Sequence, residues 1–221
     1  MPGERPATAE RRPLDPIDRV SEVLFGVIMV LTFTGSLSVA EAGRAEVREM
    51  LVGALGCNFA WGIIDALLFL MGGLADRGRG LMAWHALRNA RDAGEGQRMI
   101  ASALPPVVAS VSGPAELESI RERILALPEP PVRPRLDAEA WKGALAIFLL
   151  VFLSTLPIVV PFLFVRDPSR ALRISNAVAV AMLFVCGYSF GRLTRYHPWG
   201  TGVAMVLLGS VLVAMTMALG G

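Results

Sequence analysis

The sequence predicts an all-α, polytopic membrane protein with five transmembrane helices and a small helical cytosolic insert between the second and third. Hydrophobic residues make up 54% of the 221 and charged residues only 18%. Mean hydropathy is +0.55, a profile that excludes an ordinary soluble globule. Five apolar runs are each near the ~20 residues a helix needs to cross a bilayer, and one long polar stretch separates the second from the third. The boundaries that follow are an N-terminal tail (1–19), a transmembrane hairpin (20–74), the insert (75–140) and a three-helix part (141–221).

The tail is rich in Pro and Arg and reads as a disordered cytosolic segment rather than a cleavable signal peptide. Its end is more ordered in pattern. Asp15, Asp18 and Glu22 fall at i, i+3 and i+7, one face of a helix entering the membrane. That face can attract cations; Asp15 and Asp18 also suit a helix N-terminus on dipole grounds alone.

The first span, 20–40, and the second, 48–74, each carry a carboxylate where hydrocarbon is expected: Glu22 and Asp65. The link between them is short, so the two helices should return antiparallel. With its midpoint near residue 44, Glu22 faces position 66 and Met29 faces position 59. Glu22 and Asp65 are therefore expected at one depth. Asn58 lies two turns from Asp65 on the same face, and Cys57 adjoins it. The candidate metal ligands are thus Glu22, Asp65, Cys57, Asn58, Asp18 and Met29.

Each has an ordinary explanation: Met and Cys pack, and Asn joins helices. The facing carboxylates are harder to explain away, because like charges in low dielectric need a cation or a proton between them. Oxygen ligands alone suit Mg²⁺ or Ca²⁺, whereas added sulfur tilts the set toward Fe²⁺ or Mn²⁺. Such an ion is a transported substrate, exchanging with protons, and no permanently bound cofactor is expected.

The third span, 141–165, contains Pro157 and Pro161, which free backbone carbonyls and place it inside the bundle rather than against lipid. The fourth, 172–194, holds Gly187 and Gly191. The fifth, 198–220, repeats small residues at Ser210, Ala214 and Ala218. These spacings suit close helix contact, within one chain or between two.

Within the insert, residues 80–93 and 113–127 read as helices, the second opening on Pro114 with Leu117, Ile120, Ile124 and Leu127 at helical spacing. Glu118 and Glu122 are one turn apart and could share a metal, though Arg121 and Arg123 stand beside them. The only histidines, His85 and His197, are far apart in the chain, which argues against a zinc or His-based catalytic site. Cys57 and Cys186 both lie in apolar runs and offer no disulfide framework.

Five of the 21 basic residues (Arg44, Arg48, Arg166, Arg170, Arg173) fall on one side of this topology and the remaining sixteen on the other. The positive-inside rule puts the N-terminus and insert in the cytosol and the C-terminus outside. The net charge of +2 gives no reason to expect nucleic acid as a partner.

Several runs resemble the vacuolar iron transporter (VIT) family, in a bacterial-type member with an atypical insert. They are SEVLFGVIMVL (21–31), GALGC (53–57), TLPIVVPFLF (155–164) and CGYSFGRLT (186–194), set in a two-span, insert, three-span layout. The resemblance implies a homodimer exporting Fe²⁺ or Mn²⁺ from the cytosol against protons. It also implies that Glu22 takes the family's first-span acidic role and Cys57 the place of its metal-binding Met. The insert departs from the pattern: where iron transporters carry glutamates, this chain has the basic run ADRGRGLMAWHALRNARDAG (75–94).

Two function classes are therefore open, a metal–proton antiporter and a non-transporting scaffold or regulator that keeps the fold. No zinc signature and no protease motif points to an enzyme. The absence of a transit segment and the Ala/Arg-rich composition point to a bacterial inner membrane.

Overall fold

The computed structural model describes residues 16–35 and 44–218. Every regular element among them is an α-helix: α1 (Pro16–Gly35), α2 (Arg44–Arg88), α3 (Ala93–Ala103), α4 (Pro106–Val111), α5 (Pro114–Leu125), α6 (Ala138–Ser154), α7 (Leu156–Phe164), α8 (Pro168–Leu193) and α9 (Pro198–Ala218). Asp15 and the end of the first expected span, 36–40, lie outside the described residues. The chain forms two compact units, Met1–Phe69 with Ala138–Gly221, and Leu70–Asp137.

Four helical stretches are long and apolar enough to cross a membrane: Glu46–Arg88, Ala138–Phe164, Pro168–Leu193 and Pro198–Met215. They correspond to the second to fifth expected spans. α1 is not among them; it has 20 residues and carries Asp18, Arg19 and Glu22 in its first two turns.

In the first unit α1 is the axis. Val27, Val30 and Leu31 pack with Ile158 and Val159 of α7 and with Ala179 and Leu183 of α8. α1 also lies against α6 and α9. Gly26 permits the α6 approach: a Cβ there would meet Ser154 Oγ and come within 2.7 Å of the Val151 carbonyl oxygen.

The proline-bearing span is interrupted as expected. α6 stops at Ser154, Thr155 intervenes, and α7 restarts with Pro157 in its first turn. Ile158, Val159 and Pro161 are buried. Near the break, Ser175 of α8 donates its hydroxyl to the Ile158 carbonyl at 2.8 Å. A serine hydroxyl supplied by a neighbouring helix is one of the ways such spans stay satisfied away from water.

α8 and α9 make the most extensive helix pair, and glycines let them approach. A Cβ on Gly187 would lie 2.5 Å from the Thr201 carbonyl oxygen, and one on Gly191 would meet Pro198 and Thr201. The Gly187/Gly191 pair is thus used within the chain. Ser210 and Ala214, by contrast, are exposed on α9.

In the second unit the helix expected over 80–93 is the end of α2, which runs unbroken to Arg88 through Gly72, Gly73, Gly78 and Gly80. Each glycine costs about 1 kcal/mol in a helix interior without ending it. A helix that was not expected follows, α3. Asp92 caps it by accepting from the Glu95 amide at 2.7 Å, and Glu95 accepts from the Arg91 amide at 2.8 Å, a near relative of the reciprocal capping box. α5 opens on Pro114 as expected and packs on α3.

Candidate ion site

The sequence places Asp18 and Glu22 on α1 and Asp65 midway along α2, and the fold brings the charges of Asp18 and Asp65 to bear on Glu22. Glu22 is half-buried, and the charges acting on it are those of Asp65 from α2 and Asp18 from its own helix. Asp65 is likewise half-buried, whereas Asp18 is exposed. Below this pair, Asn58 is fully buried at 0% exposure. Its Nδ2 donates to the Gly26 carbonyl at 3.4 Å, and its Oδ1 is buried with no hydrogen-bond partner. Phe25 and Trp61 close the space between with an edge contact, ring centroids 5.5 Å apart.

Three contacts give the register of α1 on α2. Asn58 meets Gly26, Trp61 meets Phe25, and a Cβ on Gly53 would touch Phe33 at 3.4 Å. The expected register put positions 62, 63 and 55 opposite those α1 residues, so the helices are slipped by about two to four residues, roughly 3–6 Å along the axis. Side-chain packing sets this slip, and the midpoint of the link is a poor guide to it. Glu22 then stands opposite positions near 63 rather than 66, which leaves Asp65 within about one turn of its level. Met29 becomes level with Cys57 rather than residue 59; both are half-buried.

The six expected ligands are not assembled into one shell. Among the described residues no three His, Cys, Asp or Glu side chains are grouped closely enough to hold a metal. Two turns of helix separate Cys57 from Asp65, and Asp18 is exposed one turn from Glu22. What the fold does bring together is narrower: the Glu22/Asp65 pair, and one turn further along α1 the Asn58 amide against Gly26. Ser154 was not expected there. Its Oγ is buried beside Gly26 and donates to the Val151 carbonyl at 2.8 Å. The signal available was Gly26 itself, the one glycine in the interior of α1.

In the second unit, Glu118 is not free to share a metal with Glu122. It takes hydrogen bonds from Arg121 at 2.6 and 3.0 Å and from Gln97 Nε2 at 2.9 Å. These donors, chiefly the Arg121 side chain, hold its carboxyl well below the ordinary range, at about 2.

Residues 114–221 match the family model described as the VIT family. Over α5 to α9 the chain is similar to that family. No curated protein matches it. The matched region takes in α5 to α9, including the bent α6–α7 span and the α8–α9 pair. The match and the four helices long and apolar enough to cross a membrane together point to an integral membrane protein.

Proposed function

We propose that this protein is a member of the VIT family that exports a divalent transition-metal ion, Fe²⁺ or Mn²⁺, from the cytosol in exchange for protons. The observation that carries the reading is the Glu22/Asp65 pair, two half-buried carboxylates on different helices, with the Asp65 charge bearing on Glu22. A half-buried pair of like charges on apolar helices is satisfied by a divalent cation, or by a proton when the cation leaves. Loading from one side and release to the other would then carry protons the opposite way.

In this reading α1 is the fifth spanning helix, with Glu22 half-buried against protein and Asp18 exposed in its first turn. Its packing against α6, α8 and α9 supports that placement. The pair supplies too few ligands for a complete shell, so water, Asn58 Oδ1 or a second copy of the chain provides the rest. A homodimer would meet that need. The distribution of basic residues supports a cytosolic N-terminus and an external C-terminus, and a bacterial inner membrane is the setting we favour.

The test is metal uptake into vesicles containing the purified protein, with Fe²⁺, Mn²⁺, Co²⁺ and Zn²⁺ each offered under an imposed pH gradient. We expect gradient-dependent uptake of Fe²⁺ or Mn²⁺ that Glu22→Gln and Asp65→Asn each abolish. Uptake unaffected by both substitutions would refute the mechanism. A second reading, a non-transporting scaffold, is favoured by one feature: Glu118 is committed to Arg121 and Gln97, which leaves the second unit without that acid for metal capture. No uptake of any of the four ions would support it.

A further inference from the structure

At one end of the first unit, the start of α2, the end of α7 and the start of α8 enclose a groove of about 620 Å³. Its walls are apolar, including Val52, Leu55, Val159 and Leu163, and its only charged lining residues are Arg48 and Arg166. Val52 and Leu163 are 65% and 69% exposed, so the apolar wall is open. Arg166 follows the apolar α6–α7 stretch by two residues, where a spanning helix reaches the headgroup layer.

Neither arginine has an ion pair among the described residues, and the nearby acids do not neutralise them. Asp167 caps α8, accepting from the Ser169 amide at 3.1 Å, and pairs with Arg170 at 3.4 Å. Glu46 and Glu49 are two and one positions from Arg48 on α2, spacings that point to other sides of a helix.

We propose that this groove is a binding site for one anionic phospholipid, its phosphate held by Arg48 and Arg166 and an acyl chain lying along the apolar wall. A two-fold contact with a second copy suits the groove less well, because such an interface brings the same patch of both chains together, and with it these arginines. A guanidinium pair matches phosphate geometry, and the open hydrocarbon wall matches the chain attached to it.

The experiment uses the full-length protein reconstituted in vesicles of equimolar phosphatidylcholine and phosphatidylglycerol, then extracted and weighed intact with its retained lipid. Wild-type protein should retain phosphatidylglycerol over phosphatidylcholine. The Arg48→Gln/Arg166→Gln double variant should lose that preference by roughly fivefold per arginine, the strength of one basic residue at an anionic surface. Leu163→Trp, which fills the groove and keeps both charges, should also reduce retention. Arg170→Gln/Arg173→Gln, at the same end but outside the groove, should not.

Equal retention of the two lipids by wild type would overturn the proposal. So would a loss as large in the Arg170/Arg173 variant, which would mean a diffuse surface charge. Displacement of the retained lipid by inorganic phosphate alone would show a free-anion site instead, and dimerisation lost on Leu163→Trp without change in lipid would show an interface. Metal transport is not read in any arm, so the result stands apart from the carrier reading.

Discussion

Asn58 on α2 donates to the carbonyl oxygen of Gly26 on α1 at 3.4 Å while its own Oδ1 is buried with no partner. The contact is long for a hydrogen bond and Gly26 O already serves its own helix, so the donor side contributes little. An orphaned buried carbonyl costs about 1–3 kcal/mol. Asn58→Val, which removes it with little change in volume, should leave the melting temperature unchanged or raise it, by about 1 kcal/mol at most. Metal uptake should fall in the same variant. A large drop in melting temperature with uptake retained would show that Asn58 serves only to hold α2.

Gly187 sets the approach of α8 to α9, where the obstacle to a side chain is the Thr201 backbone at 2.5 Å and not a flexible terminus. Gly187→Ala should therefore destabilise the bundle by about 1–3 kcal/mol, the cost of overpacking a close contact. Thermal unfolding in detergent measures it. Gly72→Ala, in open surroundings, should instead be neutral or slightly stabilising.

Arg195 is the one described non-glycine residue with positive φ, at 55°. It closes α8 in the manner of a Schellman motif, with the Tyr196 amide on the Gly191 carbonyl at 2.9 Å and its own amide on that of Arg192 at 3.4 Å. Glycine holds this conformation without the Cβ penalty, so Arg195→Gly should stabilise the helix end by about 1 kcal/mol. Slower amide exchange over the last turn of α8 is the expected readout.

Glu118 has its carboxyl lowered from 4.5 to about 2, first by the Arg121 hydrogen bonds and then by Gln97. A group depressed in the folded state stabilises above its unfolded value, and that stabilisation is lost as pH falls through the folded one. The α3–α5 contact should therefore hold above pH 4.5 and weaken as pH falls toward 2. Amide exchange in α3 and α5 should rise over that window in wild type. In Glu118→Gln it should already be faster at neutral pH and show less of the acid-dependent rise. Equal pH profiles in the two proteins would refute the assignment.

Much of the helical outline was legible in the sequence. Apolar runs of sufficient length located the four stretches able to span, and Pro157 and Pro161 announced the interruption between α6 and α7. Contrary to expectation, that span is not enclosed by the bundle: Ile158 and Val159 are buried, while Leu163 and Phe164 on the other side are 69% and 80% exposed. Pro114 marked the start of α5. Two helices were missed, α3 and the short α4; α3 did have a signal in Asp92 and Glu95, three positions apart at its start, but few apolar residues follow to give it a period.

These features were readable because each depends on the local chain: bilayer length, a missing amide hydrogen, a cap three residues away. The tertiary structure alone decided the slip of α1 on α2, the use of Gly187 and Gly191 inside the chain, and the commitment of Glu118 to Arg121 and Gln97. It also decided that the Asp65 charge bears on Glu22 while Cys57 lies two turns from Asp65 and Asp18 stays exposed. Those outcomes turn on which side chains interlock across helices distant in sequence. Displacements of a few ångströms separate the alternatives, and no single helix's periodicity encodes them.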